Sequence, residues 1–207
     1  MATIVGIDLA GSPKRDTGFC VMNSRKACTA TVVHTDEEIL ERTFSVGPDV
    51  VSIDAPLSLP RGRRSLEIPG PPHFRECDLE LRRMHIRFFP ISLGPMRMLT
   101  TRGLHLKTLM EMDGLEVIES FPGAVQDMLG MPRKQKGLDA LHTALSKNGV
   151  KLKVRKEPYG GDELDAATSA LVGLMYHDGD YLAIGDPTEG LMILPGKSGG
   201  PKNTGRS

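Results

Sequence analysis

A carboxylate stands inside the first apolar run of the chain, and no other feature constrains the fold as tightly. Ile4 to Leu9 reads as a short buried strand opening almost at the start. Strand alternation puts Val5, Ile7 and Leu9 on one face and Gly6, Asp8 and Ala10 on the other. An isolated buried charge costs several kcal/mol, so Asp8 needs a partner from elsewhere in the chain.

The pattern recurs downstream. Val50 to Ala55 is another buried strand, with Val51 and Ile53 set against Ser52 and Asp54, and Glu119 ends a third apolar run that starts at Glu116. Beyond Gly160-Gly161 comes the most helix-like segment, Glu163 to Tyr176. Asp162 and Asp165 lie at its start, three apart and so on neighbouring parts of one face. Ala166, Ser169, Ala170 and Gly173 lie near that face and are small enough for a helix to approach a sheet closely. If this helix crosses the first strand, Asp162 and Asp165 converge on Asp8 and Asp54. Hard divalent ions prefer carboxylate and water oxygens, so the set suits Mg²⁺ or Mn²⁺. Each acid also has a plain structural alternative. Asp8 could hold turn backbone groups, Asp54 could cap the turn after it, Asp162 with Asp165 could form a capping box, and Glu119 could simply be solvated.

Around these acids the chain alternates between strands and helices. Gly18 to Met22 and Ala27 to His34 read as strands joined by a polar hairpin, and Asp36 to Arg42 as a short helix capped by Thr35 or Asp36. Residues 56–113 differ in kind. Pro60, Pro69, Pro71 and Pro72 frame an Arg-rich loop, then Phe74, Cys77, Leu81 and Met84 recur at helical spacing. A second helix is expected within Met96 to Met112. The stretch reads as an insertion within one domain spanning 1–195. Further helices are expected over Ala124 to Leu129 and within Lys134 to Lys147. Tyr181 to Ile184 and Leu191 to Leu194 flank a turn and predict a C-terminal hairpin. The Gly, Lys and Ser-rich stretch 196–207 is expected to be a mobile tail.

Bulk properties narrow the function classes. Lys+Arg and Asp+Glu each number 26, which excludes a wholesale basic nucleic-acid binder while permitting a local basic groove. Three dispersed cysteines, Cys20, Cys28 and Cys77, argue against a disulfide framework and a structural zinc site. No apolar run approaches the roughly 20 residues that span a bilayer. Asp8 interrupts any signal-like stretch, so a reducing, cytoplasmic location with no membrane partner is the expectation. No Trp and only three Tyr weaken the case for base stacking on single strands.

Taken together, VGIDLAGS, VSIDAPLSLP, Arg75 to Asp78, VIESFPGA, DELDAATSA and GDPTEGLMILP resemble the family called domain of unknown function 429, whose members are predicted to be ribonuclease H-like. The matching pieces run from the first residues to Pro195. The resemblance implies an α/β fold: a five-stranded mixed sheet flanked by helices, with a helical insertion between the fourth and fifth strands. Its first three strands would form an antiparallel meander and the later two would run parallel to the first. More distantly, the chain is similar to RuvC-type Holliday junction resolvases. Asp8, Asp54, Asp162 and Asp165 stand at the positions of that group's acids, with Asp54 where the group has Glu. Glu119, Lys134 and Lys136 also stand where it has a Glu and lysines. The long Arg and Pro-rich insertion has no counterpart there.

The resemblance implies a metal-dependent nuclease that hydrolyses phosphodiester bonds of DNA or RNA, with two ions roughly 3.5–4 Å apart. Asp8 would bridge both ions, Asp54 and Asp165 would each hold one, and Asp162 or Glu119 would complete a shell. Arg61, Arg63, Arg64, Arg82, Arg83, Lys134 and Lys136 are candidate phosphate contacts, each also readable as solvated surface. A homodimer is implied because resolvase-like enzymes act as pairs. Two other readings compete. One is a noncatalytic nucleic-acid or protein-binding module on the same fold. The other, an actin-like phosphotransfer domain, rests on Gly6-Ile7-Asp8 with Gly11 and Thr17-Gly18, but the chain has no second nucleotide loop.

Overall fold

The computed structural model describes residues 1–196. The tail expected over 196–207 therefore falls, apart from Gly196, outside the described residues. The chain forms an α/β fold around one mixed sheet. In chain order the elements are β1 (Thr3–Asp8), β2 (Thr17–Asn23), β3 (Ala27–Val33), α1 (Asp36–Val46), β4 (Val50–Asp54), α2 (Glu76–Arg83) and α3 (Gly94–Met112). Then follow β5 (Val117–Ser120), α4 (Pro122–Met128), α5 (Leu138–Lys147), β6 (Lys151–Leu152), α6 (Gly161–Asp178), β7 (Tyr181–Asp186) and β8 (Gly190–Pro195).

The strand order is β6-β3-β2-β1-β4-β5-β8-β7. As expected, β1, β2 and β3 form an antiparallel meander, and β4 and β5 run parallel to β1. The five-strand expectation is corrected to eight strands among the described residues. The C-terminal hairpin joins the sheet, with β8 lying parallel to β5 through Glu119–Met192 and Ser120–Ile193. The two-residue strand β6 pairs with β3 at the far edge. Adding β8 satisfies backbone groups of β5 that an edge position would leave exposed.

Strand alternation divides the core into two layers. Val5, Ile7, Val51 and Ile53 pack against Ile39 of α1 and Leu106 and Met110 of α3. On the other face Ile4 and Val50 meet α6, whose Leu164, Ala166, Ala170 and Leu171 are all buried. Thr35 caps α1 by accepting a hydrogen bond from the Glu38 amide at 3.2 Å.

Helix α6 lies unusually close to the strands beneath it. A Cβ added to Gly6 would stand 2.2 Å from the Ala166 carbonyl oxygen and 2.3 Å from the Ala170 nitrogen. One added to Gly18 would stand 1.9 Å from the Asp162 carbonyl oxygen, and one on Gly173 would strike Ile4. Glycine at these positions lets α6 settle along much of its length onto β1 and β2. Among the described residues, no helix is long and apolar enough to cross a membrane.

Candidate metal and nucleic-acid site

Asp8 and Asp54 are the final residues of two parallel strands and pair in register. Both belong to the sheet face covered by α6. The close packing just described brings Asp162 and Asp165 over the same strand ends. Their meeting point is the ammonium of Lys134, in a 3₁₀ turn at Lys134–Lys136 ahead of α5. Lys134 Nζ lies 3.2 Å from Asp8 Oδ2, 2.8 Å from Asp162 Oδ1 and 2.9 Å from Asp165 Oδ2.

The structural alternatives for these acids are taken by other groups. At the start of α6 the Gly160 amide donates to Glu163 Oε2 at 2.8 Å, and Arg155 holds both oxygens of Glu163 at 2.7 Å. That frees Asp162 and Asp165 to face the strands. Gln126 Nε2 donates to Asp165 Oδ1 at 2.6 Å, leaving Oδ2 to face Lys134. The Asp54 carboxylate accepts no hydrogen bond among the described residues.

Burial sets the electrostatics. It raises the Asp8 carboxyl to about 7, with Lys134 pulling downward and the Asp165 and Asp162 charges pushing further up. Asp54 is raised well above the ordinary carboxylate value, first by burial and then by the Asp8 and Asp165 charges. Burial opposes the Lys134 charge, yet Asp8 and Asp165 outweigh it and hold the ammonium protonated.

Among the described residues, no three His, Cys, Asp or Glu side chains are arranged to hold a metal ion as they stand. The donor set nevertheless fits a hard cation. It consists of carboxylate oxygens, three of them already meet at one ammonium, and Asp54 has no hydrogen-bond partner among the described residues. Beside Asp54 in register, Ser120 Oγ is buried and also lacks a hydrogen-bond partner among the described residues.

Glu119 stands apart from the acids that meet at Lys134. Arg75, only 2% exposed, reaches Glu119 Oε2 at 2.6 Å and Oε1 at 2.8 Å. The same guanidinium holds Asp78 Oδ1 at 2.9 Å, and Glu119 Oε2 also accepts the Leu57 amide at 2.7 Å. Glu119 thus ties β5 to the loop after β4 and to the start of α2.

The predicted phosphate contacts scatter. Arg61 pairs with Asp186 and Arg83 with Glu76. Arg63 donates to the carbonyls of Ser65, Ile68, Gly70 and Pro72 and organises its own loop. Arg64 and Lys136 make no side-chain hydrogen bond among the described residues and do not line the cleft described next. Arg82 and Lys134 line that cleft, which has a volume of about 840 Å³ and opens beside Asp54 and Asp165. Arg87, Arg133 and Gln126 line it too and were absent from the sequence expectations. Gln126 alone left a signal, as a polar side chain on the interior face of a short helix.

Residues 6–189 match the family described as "Protein of unknown function (DUF429)". The chain belongs to this family. Among solved structures, this DUF429 chain is similar to T. thermophilus RuvC in complex with a Holliday junction substrate. The TM-score is 0.50 at 15% identity, over 86% of this chain and 96% of that one. A second structure of Thermus thermophilus RuvC aligns over the same shares, with a TM-score of 0.43 and 14% identity. At such identities the likeness concerns the ribonuclease H-like fold. No curated protein gives a significant match.

Proposed function

We propose that the protein is a divalent-metal-dependent nuclease that hydrolyses phosphodiester bonds in DNA or RNA. The carrying observation is the convergence of Asp8, Asp162 and Asp165 on one ammonium, with Asp54 in register beside Asp8, next to a cleft that Asp54, Asp165 and Lys134 line together with Arg82 and Arg87. The similar fold of a RuvC recorded with a Holliday junction supports nucleic acid as the substrate. Junction specificity is not part of the proposal, because residues 56–113 build one wall of this cleft.

Asp8, Asp54 and Asp165 would hold Mg²⁺ or Mn²⁺, with Asp162 at the rim. Such an ion acidifies bound water and stabilises charge on the phosphoryl oxygens. The chain's own groups do the rest. Gln126 fixes the Asp165 carboxylate by its hydrogen bond to Oδ1. Arg82 and Arg87 draw a polyanion toward the acids, while Arg133 is held by Asp127. Lys134 neutralises the cluster until substrate arrives and then faces the scissile phosphate. Water adds to phosphorus, the ester oxygen leaves with the electron pair of the broken bond, and a proton passes to that oxygen.

The test is incubation with Mn²⁺ and a panel of branched, duplex, hybrid and single-stranded substrates. Cleavage abolished by Asp8→Asn is expected. No cleavage of any substrate overturns the proposal. One observation favours a second reading: Lys134 fills the centre of the acid cluster, as it would in a binding module that has lost turnover. That reading expects metal-independent binding without cleavage. A homodimer and a cytoplasmic location belong to the same proposal.

A further inference from the structure

The six phenylalanines of the chain are unevenly spread. Phe88, Phe89 and Phe121 line the cleft beside the acids, and Phe74 packs edge-on against Phe88 at 6.0 Å. With no Trp and three Tyr in the sequence, this is where aromatic surface gathers. Phe89 is 68% exposed, a large apolar ring left facing water at the rim.

Cations accompany the rings. Arg82 lies 4.3 Å over the Phe74 ring, and Arg133 lies 5.8 Å over Phe121. Arg82 and Arg87 make no ion pair or side-chain hydrogen bond among the described residues. Most other arginines of residues 56–113 are engaged: Arg61, Arg75, Arg83 and Arg102 by carboxylates, Arg63 by carbonyls. Unpaired guanidiniums beside apolar rings match a ligand that is both flat and anionic.

We infer that this cleft receives an unpaired nucleotide of a single strand, its base against Phe88, Phe89 and Phe121 and its flanking phosphates between Arg82, Arg87 and Lys134. The inference rests on the nuclease reading and narrows its substrate to unpaired segments. Three features favour it. The volume of about 840 Å³ falls in the range that encloses a small ligand, roughly 300–1,000 Å³. Stacked, paired bases offer no free face to a ring, whereas unpaired bases do. Unpaired guanidiniums and aromatic rings lining one cleft suit a nucleotide within a strand better than a lone anion.

The test is fluorescence anisotropy in EDTA, so that binding is read without turnover. The probes are a labelled twelve-residue oligothymidylate, its duplex with oligoadenylate, and thymidine monophosphate as competitor. Expected are single-strand binding at least ten-fold tighter than duplex binding and a loss of about ten-fold in Phe89→Ala, in line with roughly 1–3 kcal/mol per stacked base. The pair Arg82→Glu and Arg87→Glu should abolish binding, while Arg25→Glu, on the β2–β3 turn, should not change it. Equal affinity for duplex, or Phe89→Ala binding like the unmodified protein, overturns the inference. So does displacement by the monophosphate as strong as by the strand, which identifies a free-nucleotide site. Metal-dependent cleavage indifferent to Phe89→Ala sinks the inference and leaves the nuclease reading standing. Tight single-strand binding without cleavage in Mn²⁺ supports the inference and sinks the nuclease reading.

Discussion

Lys134 Nζ lies 2.9 Å from Asp165 Oδ2, and the same ammonium touches Asp8 and Asp162. One positive charge therefore faces three acids. Lys134→Met leaves them repelling one another. Breaking a buried pair costs about 3–5 kcal/mol. Lys134 is 30% exposed, so solvent screening brings the expected loss to about 1–2 kcal/mol. A cation that binds the folded state restores stability by mass action. Thermal melts should show Mn²⁺ raising the melting temperature more in Lys134→Met than in the unmodified protein. Equal Mn²⁺ responses would contradict this.

The raised Asp8 carboxyl predicts a pH dependence. Its folded value of about 7 exceeds the ordinary 3.8, so the folded state binds the proton more tightly than the unfolded state. Between these values folding takes up a proton, and stability falls as pH rises. The contribution is whole near pH 4 and gone above pH 7, and Asp54 acts in the same direction. Urea melts in EDTA should show this slope, and Asp8→Asn should flatten it. A stability that rises across this window would refute the assignment.

Glu119 and Asp54 are neighbouring acids with different expected behaviour. Glu119→Gln should weaken folding, because it removes one charge from the pair with Arg75. Arg75→Met should cost more, about 3–5 kcal/mol, since it strands Glu119 and Asp78 together in the interior. Neither change should alter Mn²⁺ affinity in the protein that remains folded, whereas Asp54→Asn should reduce it at least ten-fold. Calorimetric titration separates the two classes. A Glu119→Gln protein that loses Mn²⁺ binding would place Glu119 among the ligands.

Gly6 tests the route by which the acids converge. An added methyl would lie 2.2 Å from a backbone oxygen of α6, which cannot turn aside as a side chain can. Overpacking costs about 1–3 kcal/mol, and Gly6→Ala belongs at the upper end of that range. The displaced helix carries Asp162 and Asp165 away from Asp8, so Mn²⁺ affinity should fall together with stability. Unchanged denaturation and metal titration curves would show that the helix accommodates the methyl.

Much of this arrangement was legible in the chain because it depends on period. Alternation placed Asp8 and Asp54 on one face of the sheet, and the small residues of α6 marked the side that approaches it. Other features depend on contacts distant in sequence. Arg75 lies 44 positions from Glu119, and no local pattern announces their pairing. Lys134 is expected as a phosphate contact because sequence shows its charge but not the turn that aims it at the acids. The β7–β8 hairpin was visible as two apolar runs, but nothing in them says which strand they extend. For β6, Lys151-Leu152 carries no signal at all. The aromatic wall leaves little trace in the sequence because Phe121 lies 32 positions beyond Phe89 and joins it and Phe88 only on folding.

The Arg75 bridge fastens α2 to β5 through charges that are at most 4% exposed. Swinging α2 outward would strand at least one of them, so the gap between Arg82 and the acids is set when the chain folds. Ligands of different width are then sorted by a fixed aperture, and the work of reshaping falls on whatever enters it.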